Sequence, residues 1–395
     1  MTLIDEKPKA DLLPEPTSPD LAVHLGERGL ILRLQDGPAY FNYYWLRDNC
    51  PSSFNAETRE RSFDIFELDT PPVAAQAHID GDTLVIDWAG ERHVTRMPVS
   101  WLTTFANGGR RHDPADLPRQ PWYSDHYEHL PRYTFDELCN DEAKLQSWLE
   151  AVIVEGVSIV TDMPDSDEAL TRLANLTGQV RPTFFGYYFD VRTHINPTNT
   201  AYTAAALELH TDTPAEENAP GIQFLHMRAN TVDGGLNLFA DGVAVANRFR
   251  ELDPEGFRLL AETDVPFYCE HDDYDMRTYQ RIIELDQHGE VEGLTISQHM
   301  LDLADMPQEF LDDWYPAFCR FGRLLQDERF LMKFTLRAGE CIVFDNHRIV
   351  HGRSAYSATS GDRYVRGCYT DRAEFRSTYR ALVSEGRFKA GGAQA

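Results

Sequence analysis

The sequence predicts a mostly β protein with inserted helices, α+β in class, in which a jelly-roll-like double sheet follows a small β-rich domain. Three observations carry this. Beyond Gly186 the chain is a succession of short, partly alternating apolar runs separated by turn residues. Helical periodicity is confined to a few stretches that interrupt those runs, unlike the regular alternation of a βαβ chain. There is no internal repeat, no G-x-G-x-x-G fingerprint and no phosphate-binding loop.

Residues 1–24, beginning "MTLIDEKPKADLLPEPTSPD", are acidic and proline-rich where a secretory leader would be basic and then apolar, and are expected to be a flexible tail. Residues 25–110 form the expected small domain. Its β-type runs "GLILRL" (29–34) and "TLVIDW" (83–88) flank "GPAYFNYYWLRDN", and it ends near "WLTTF" (101–105). Glycines and prolines break any period in "ANGGRRHDPADLPRQPWYSDHYEHLPRY", so 111–133 are expected to be a linker. The large domain, 134–390, opens on a helix, "TFDELCNDEAKLQSWLEAVIVEG", in which Thr134 and Glu137 have the spacing of a capping box. "VSIVTDM" reads as a strand and "SDEALTRLANLTG" as a second helix. The strands "GIQFLHM", "LNLFADG", "VPFYCE", "RIIELDQHGEVEGLTIS", "LMKFTLRAGECIVFDN" and "YVRGCYT" follow, with helices at about 242–262 and about 307–327. Gln287-His288-Gly289 and Ala338-Gly339 punctuate two of these runs as hairpins.

With 395 residues, 42% hydrophobic and 11% aromatic, the chain has ample material for a buried core. The net charge of −27 excludes nucleic acid and anionic membrane as partners, since both need a surplus of Lys and Arg. No apolar run approaches the ~18 residues that span a bilayer. Six cysteines are scattered without a C-x-x-C pair, which points to reduced thiols and a cytoplasmic protein.

In "LELHTDTPAEENAPG" (207–221), His210 and Asp212 lie two apart; if the segment is extended, imidazole and carboxylate share a face. The third candidate is His351 in "FDNHRIVHGRSAY", with His347 a weaker competitor next to the strand end. Two histidines and one carboxylate, disposed facially, leave open positions on Fe(II) for a chelating cosubstrate and O2. Arg363, twelve residues past His351, heads the strand "RYVRGCYT", where its guanidinium can grip a carboxylate bidentately.

The order of H-T-D (210–212), "TVDGG" (231–235), "FDNHRIVHGRSAY" (344–356) and Arg363 resembles the 2-oxoglutarate-dependent iron dioxygenases of the taurine dioxygenase superfamily. More narrowly, "YYWLRDNCP" (43–51), "NTAYT" (199–203), "PGIQFLHM" and "RGCYTD" resemble the γ-butyrobetaine and trimethyllysine hydroxylase branch. The resemblance spans about 25 to 385. It implies a double-stranded β-helix (jelly-roll) catalytic domain with His210, Asp212 and His351 on iron. Arg363 is then the clamp for the cosubstrate 2-oxoglutarate. It implies an aromatic cage for a trimethylammonium group, onto which Tyr202, Tyr369, Phe185 and Phe189 map, the two phenylalanines standing where the butyrobetaine enzymes more typically carry Tyr and Trp. Quaternary ammonium groups have no hydrogen-bond donors, so ring faces are their natural partners.

Asn199 matches a side chain that holds the substrate's anionic end. A second amide is expected around "TISQHM", where the chain offers Ser297, Gln298 and His299, with Gln298 taken as the candidate. The favoured reaction is hydroxylation of γ-butyrobetaine to carnitine. 2-(Trimethylamino)ethylphosphonate and trimethyllysine are alternative substrates, and a betaine-binding protein without activity is the alternative from another class. Relatives often close a structural zinc with three cysteines and a histidine; here Cys50 and His93 remain but Ser52 and Phe54 stand in the ligand run, so no zinc is expected. A homodimer is the expected assembly.

Overall fold

A computed structural model of the chain describes residues 22–192 and 203–384. The protein divides into two compact units, Met1–His112 and Asp113–Ala395. Among the described residues no helix is long and apolar enough to cross a membrane.

The first unit holds β1 (Val23–Leu25), β2 (Gly29–Leu34), β3 (Gly37–Asn42), α1 (Tyr43–Asp48), β4 (Ala74–Asp80), β5 (Thr83–Trp88), β6 (Val94–Pro98) and α2 (Val99–Phe105). Its strands form two three-stranded sheets, β1-β2-β3 and β4-β5-β6, paired antiparallel throughout. Strand β3 alternates inward Ala39 and Phe41 with exposed neighbours, the period-two signature of a half-buried strand. These side chains join Leu30, Leu84, Ile86 and Trp88 in one core. Asn42 caps α1 by accepting the amide of Trp45. Cys50 contacts the Ser52 hydroxyl at 3.1 Å, and His93 contacts Thr95 at 3.3 Å.

The second unit runs through β7 (Arg132–Thr134), α3 (Phe135–Asn140), α4 (Glu142–Glu155), β8 (Val157–Thr161), α5 (Asp167–Asn175), β9 (Phe189–Val191), β10 (Leu207–His210), β11 (Ile222–Asn230), β12 (Asn237–Asp241), α6 (Gly242–Leu252) and α7 (Pro254–Glu262). It continues with β13 (Asp264–His271), β14 (Tyr274–Arg281), β15 (Ile283–Leu285), β16 (Val291–Leu294), α8 (Gln308–Leu325), β17 (Met332–Phe334), β18 (Cys341–Asp345), β19 (Ile349–Arg353), β20 (Arg363–Thr370) and α9 (Arg372–Val383). Two larger sheets result: β10-β19-β12-β17, and β7-β8-β18-β11-β20-β9. Phe239, Met332, Phe334 and Ile349 of the first pack with Ile159, Met227, Ile342, Phe344 and Val365 of the second in a single core. On the far face of the six-stranded sheet, Trp148, Leu149, Leu170, Leu173 and Phe375 of the helices cover Phe224 and Val343. A third core gathers α6, α7 and α8 around Val265, Ile283 and Leu294.

Three sequence expectations need correction here. The stretch 111–133 is not a free linker: from Asp113 it belongs to the second unit, with Trp122 and Leu130 buried and the Trp122 indole donating to the Glu155 carbonyl at 2.9 Å. The single helix expected from Thr134 is two. Thr134 and Glu137 do form the capping box, but Asp141 is extended and caps α4 by accepting the amides of Ala143 and Lys144. Ala338-Gly339 does not close a hairpin. β17 pairs with β12 and β18 with β11 and β8, so this turn carries the chain from one sheet to the other.

Candidate active site

The site is built on the seam between β10 and β19. Their antiparallel register sets His210 directly opposite His351, and the two imidazole centroids lie 4.4 Å apart. Gly352 permits this approach, since a Cβ there would fall 2.6 Å from the Leu207 carbonyl oxygen. Asp212 lies just past the end of β10 and is fixed through its backbone. Its amide donates to Asn346 Oδ1 at 2.8 Å, and Asn346 Nδ2 donates back to its carbonyl at 3.1 Å. Nothing in the motif announced Asn346; its one visible sign is a place at the end of a strongly apolar strand.

The carboxylate of Asp212 is divided between two tasks. Oδ2 accepts the Gln223 amide at 2.6 Å and the Tyr369 hydroxyl at 2.7 Å, and these two are cross-strand partners on β11 and β20. Oδ1 faces the imidazoles, 3.0 Å from His210 Nε2 and 3.8 Å from His351 Nε2. His210 Nδ1 donates to the Glu208 carbonyl at 2.8 Å, which leaves Nε2 as the free donor. One ligand atom from each of His210, Asp212 and His351 lies within 4.8 Å of the others. This donor set suits a divalent iron of the two-histidine, one-carboxylate kind. Burial would raise the pKa of Asp212, but His351, His210 and the Tyr369 hydroxyl outweigh it and hold the carboxyl below its usual range. Burial pulls His351 down to about 3, with His210 adding to the effect. His347 points elsewhere, its Nε2 on the Ala219 carbonyl at 3.1 Å.

The three donors open into a cavity of about 110 Å3. Arg363 lines it, 7% exposed, with Nε lacking a hydrogen-bond partner and no carboxylate in ion-pair reach among the described residues. Burial and then the neighbouring Arg353 pull its pKa down to about 10. A buried cation so placed costs free energy until an anion joins it. Arg353 also lines the cavity and donates to the carbonyls of Thr203 and Ala205 at 2.7 and 2.8 Å.

Part of the cavity wall is aromatic. Phe185, Phe189 and Tyr369 line it, with centroid separations of 6.5 Å for Phe185 and Phe189 and 5.1 Å for Phe189 and Tyr369. Gly367 makes room for the Phe189 ring, which a Cβ would meet at 2.2 Å. Tyr369 therefore does more than the cage role expected of it, because its hydroxyl is committed to Asp212. Gln298 does not line the cavity and is exposed; His299 and Met300, next on the same short turn, take that place, with His299 5.2 Å from His210 between ring centroids. Asn199 and Tyr202 lie outside the described residues. Sequence reasoning also passed over Thr213, whose buried hydroxyl has no partner among the described residues and whose φ of 54° is left-handed, rare for a β-branched residue.

The chain matches the taurine catabolism dioxygenase TauD, TfdA family over residues 118–369. Gamma-butyrobetaine dioxygenase of Pseudomonas sp. (strain AK-1) is 34% identical over 347 residues, which cover 85% of this chain and 89% of the relative. The gamma-butyrobetaine dioxygenase of Homo sapiens is 29% identical, covering 86% and 90%. The mitochondrial trimethyllysine dioxygenase of Bos taurus is 28% identical, covering 87% and 82%. With a family match across most of its second unit and a relative of this similarity along nearly its whole length, the chain belongs to the TauD/TfdA family and is an iron- and 2-oxoglutarate-dependent dioxygenase.

Proposed function

We propose that this dioxygenase hydroxylates an aliphatic carbon of a small trimethylammonium zwitterion, with γ-butyrobetaine to carnitine as the favoured reaction. In this reading His210, Asp212 and His351 hold Fe(II), Arg363 binds the remote carboxylate of 2-oxoglutarate, and the two large sheets are the layers of a jelly roll. When bound, iron and 2-oxoglutarate supply the oxidation, in which O2 is consumed, the keto acid leaves as succinate and CO2, and one substrate C–H becomes C–OH.

The chain's own residues determine where that happens. Gln223 and Tyr369 keep Asp212 Oδ2 occupied, so that Oδ1 stays turned toward the histidines. Phe185, Phe189 and the Tyr369 ring receive the ammonium, and position rather than intrinsic reactivity selects the carbon. His299 is our candidate for the anionic end, in place of Gln298 and beside the expected Asn199. Phosphonate as the anionic group, in 2-(trimethylamino)ethylphosphonate, is the second reading, favoured by an imidazole standing where an amide was expected. The carrying observation is that three convergent donors and a buried guanidinium with no counter-ion among the described residues share one cavity. We place the protein in the cytoplasm, in keeping with six free cysteines, and propose a homodimer, which sedimentation would test.

Asp212→Ala should abolish substrate-stimulated succinate release, and retained turnover would refute the ligand assignment. Product mass spectrometry with γ-butyrobetaine against its phosphonate counterpart decides between the two readings.

A further inference from the structure

Glu216 follows Asp212 by four residues and is 7% exposed. The left-handed backbone at Thr213 turns the chain inward, and the Glu216 amide donates to the Thr213 carbonyl at 3.1 Å. One carboxylate oxygen pairs with Arg181 at 3.2 Å, and the other, Oε1, is buried. Arg181 is shared: its other arm meets Asp371 at 3.0 Å, so two carboxylates face one guanidinium.

This group sits behind the aromatic wall. Arg181 begins the segment that carries Phe185 and Phe189, and its amide donates to the Tyr369 carbonyl at 2.8 Å. Burial is the main reason that the Glu216 carboxyl titrates high, offset by Arg181 and by the Phe184 amide. The Phe184 amide thus ties the carboxylate to the segment that carries the wall, and the Phe184 ring packs on Phe185 with centroids 4.3 Å apart. That wall is built mainly of phenylalanine, a weaker partner for a cation than tryptophan.

We propose that Glu216 is a specificity-determining residue: a fixed carboxylate behind the aromatic wall whose field selects a cationic head group over a neutral one of the same shape. The inference rests on the trimethylammonium reading above. A buried charge acts at long range on another charge, and on a tert-butyl group hardly at all.

The test compares γ-butyrobetaine with its carbon isostere, in which tert-butyl replaces trimethylammonium. Binding is measured calorimetrically and without oxygen, on the full chain loaded with Fe(II) and 2-oxoglutarate. In the unsubstituted protein the betaine should bind tighter than the isostere. Glu216→Gln should lower that preference about tenfold, or about 1.4 kcal/mol, while the isostere's affinity stays within about twofold. Arg181→Gln, which removes the opposing charge, should move the preference the other way and keeps the idea testable if the first variant does not fold. Equal losses for both ligands would mean that Glu216 only supports the wall, and would overturn the proposal. If the unsubstituted protein itself shows no preference for the cation, the betaine reading fails first and this proposal with it.

Discussion

Replacing Tyr369 by phenylalanine removes one oxygen and keeps the ring, which separates the hydroxyl's contact with Asp212 from the cage role proposed for the ring. The lost group is a hydroxyl donating at 2.7 Å to Asp212 Oδ2, in a site where Tyr369 is 1% exposed and water cannot readily substitute. A hydrogen bond to a charged acceptor contributes about 1.5–3 kcal/mol, and partners of metal ligands typically govern affinity by about 10–100-fold. Gln223 still holds the same oxygen at 2.6 Å, so the lower end applies, and Tyr369→Phe should weaken Fe(II) binding about tenfold. Betaine affinity should change by no more than about twofold, because the ring that packs 5.1 Å from Phe189 remains. Adding Gln223→Leu should cost more than the sum of the single changes, since Oδ2 is then a buried acceptor with no donor. Anaerobic titration of Fe(II) against a competing chelator measures the first quantity and calorimetry the second. Unchanged iron affinity together with a large loss of betaine affinity would refute the reasoning and return Tyr369 to a cage role alone.

Arg363→Met should weaken 2-oxoglutarate at least about 100-fold by deleting a charge-assisted, two-pronged contact, and Arg363→Lys should restore only part of it; a change under about threefold in cosubstrate affinity would count against the clamp. His226 is fully buried on β11 with neither ring nitrogen hydrogen-bonded among the described residues, and burial, helped by Arg228, pulls its pKa down to about 4. The unfolded chain therefore binds the proton first: the contribution of neutral His226 is complete above about pH 6.5 and is lost as pH falls through about 4, in all about 3 kcal/mol. Denaturant midpoints of His226→Leu and the unsubstituted protein should diverge in favour of the variant across that window, and parallel curves would contradict this. Asp241→Ala strips the counter-ion from Arg348, 1% exposed and paired at 2.8 Å, together with the cap of α6, and should cost about 3–5 kcal/mol in thermal or denaturant unfolding. A loss under about 1 kcal/mol would show that the pair is not held as described.

Part of the strand inventory was legible because burial on both faces leaves unbroken apolar runs such as "CIVF" (341–344). The capping box at Thr134 was legible because it is local. Where each strand goes was not. Nothing around Ala338-Gly339 distinguishes a hairpin from a change of sheet, since pairing is decided by partners 93 to 123 residues away. The same divide runs through the site. His210, Asp212, His351 and Arg363 were visible as chemistry. Gln223, Asn346 and Glu216 were not, because an amide or an acid acquires its role only from what the fold sets beside it. Gln298 was chosen over His299 on residue type, but a tight turn presents only some of its side chains to the cavity, and spacing does not say which.

The pairing of His210 with His351 across two neighbouring strands makes the spacing of the donors a property of backbone register. Loosened packing elsewhere would erode it gradually, whereas a slip of one residue would turn an imidazole to the opposite face and erase it in a single step. The pair is inherited whole or not at all, while residues 185, 189 and 299 can drift one at a time. A search for new substrates on this scaffold should vary the wall and leave the seam alone.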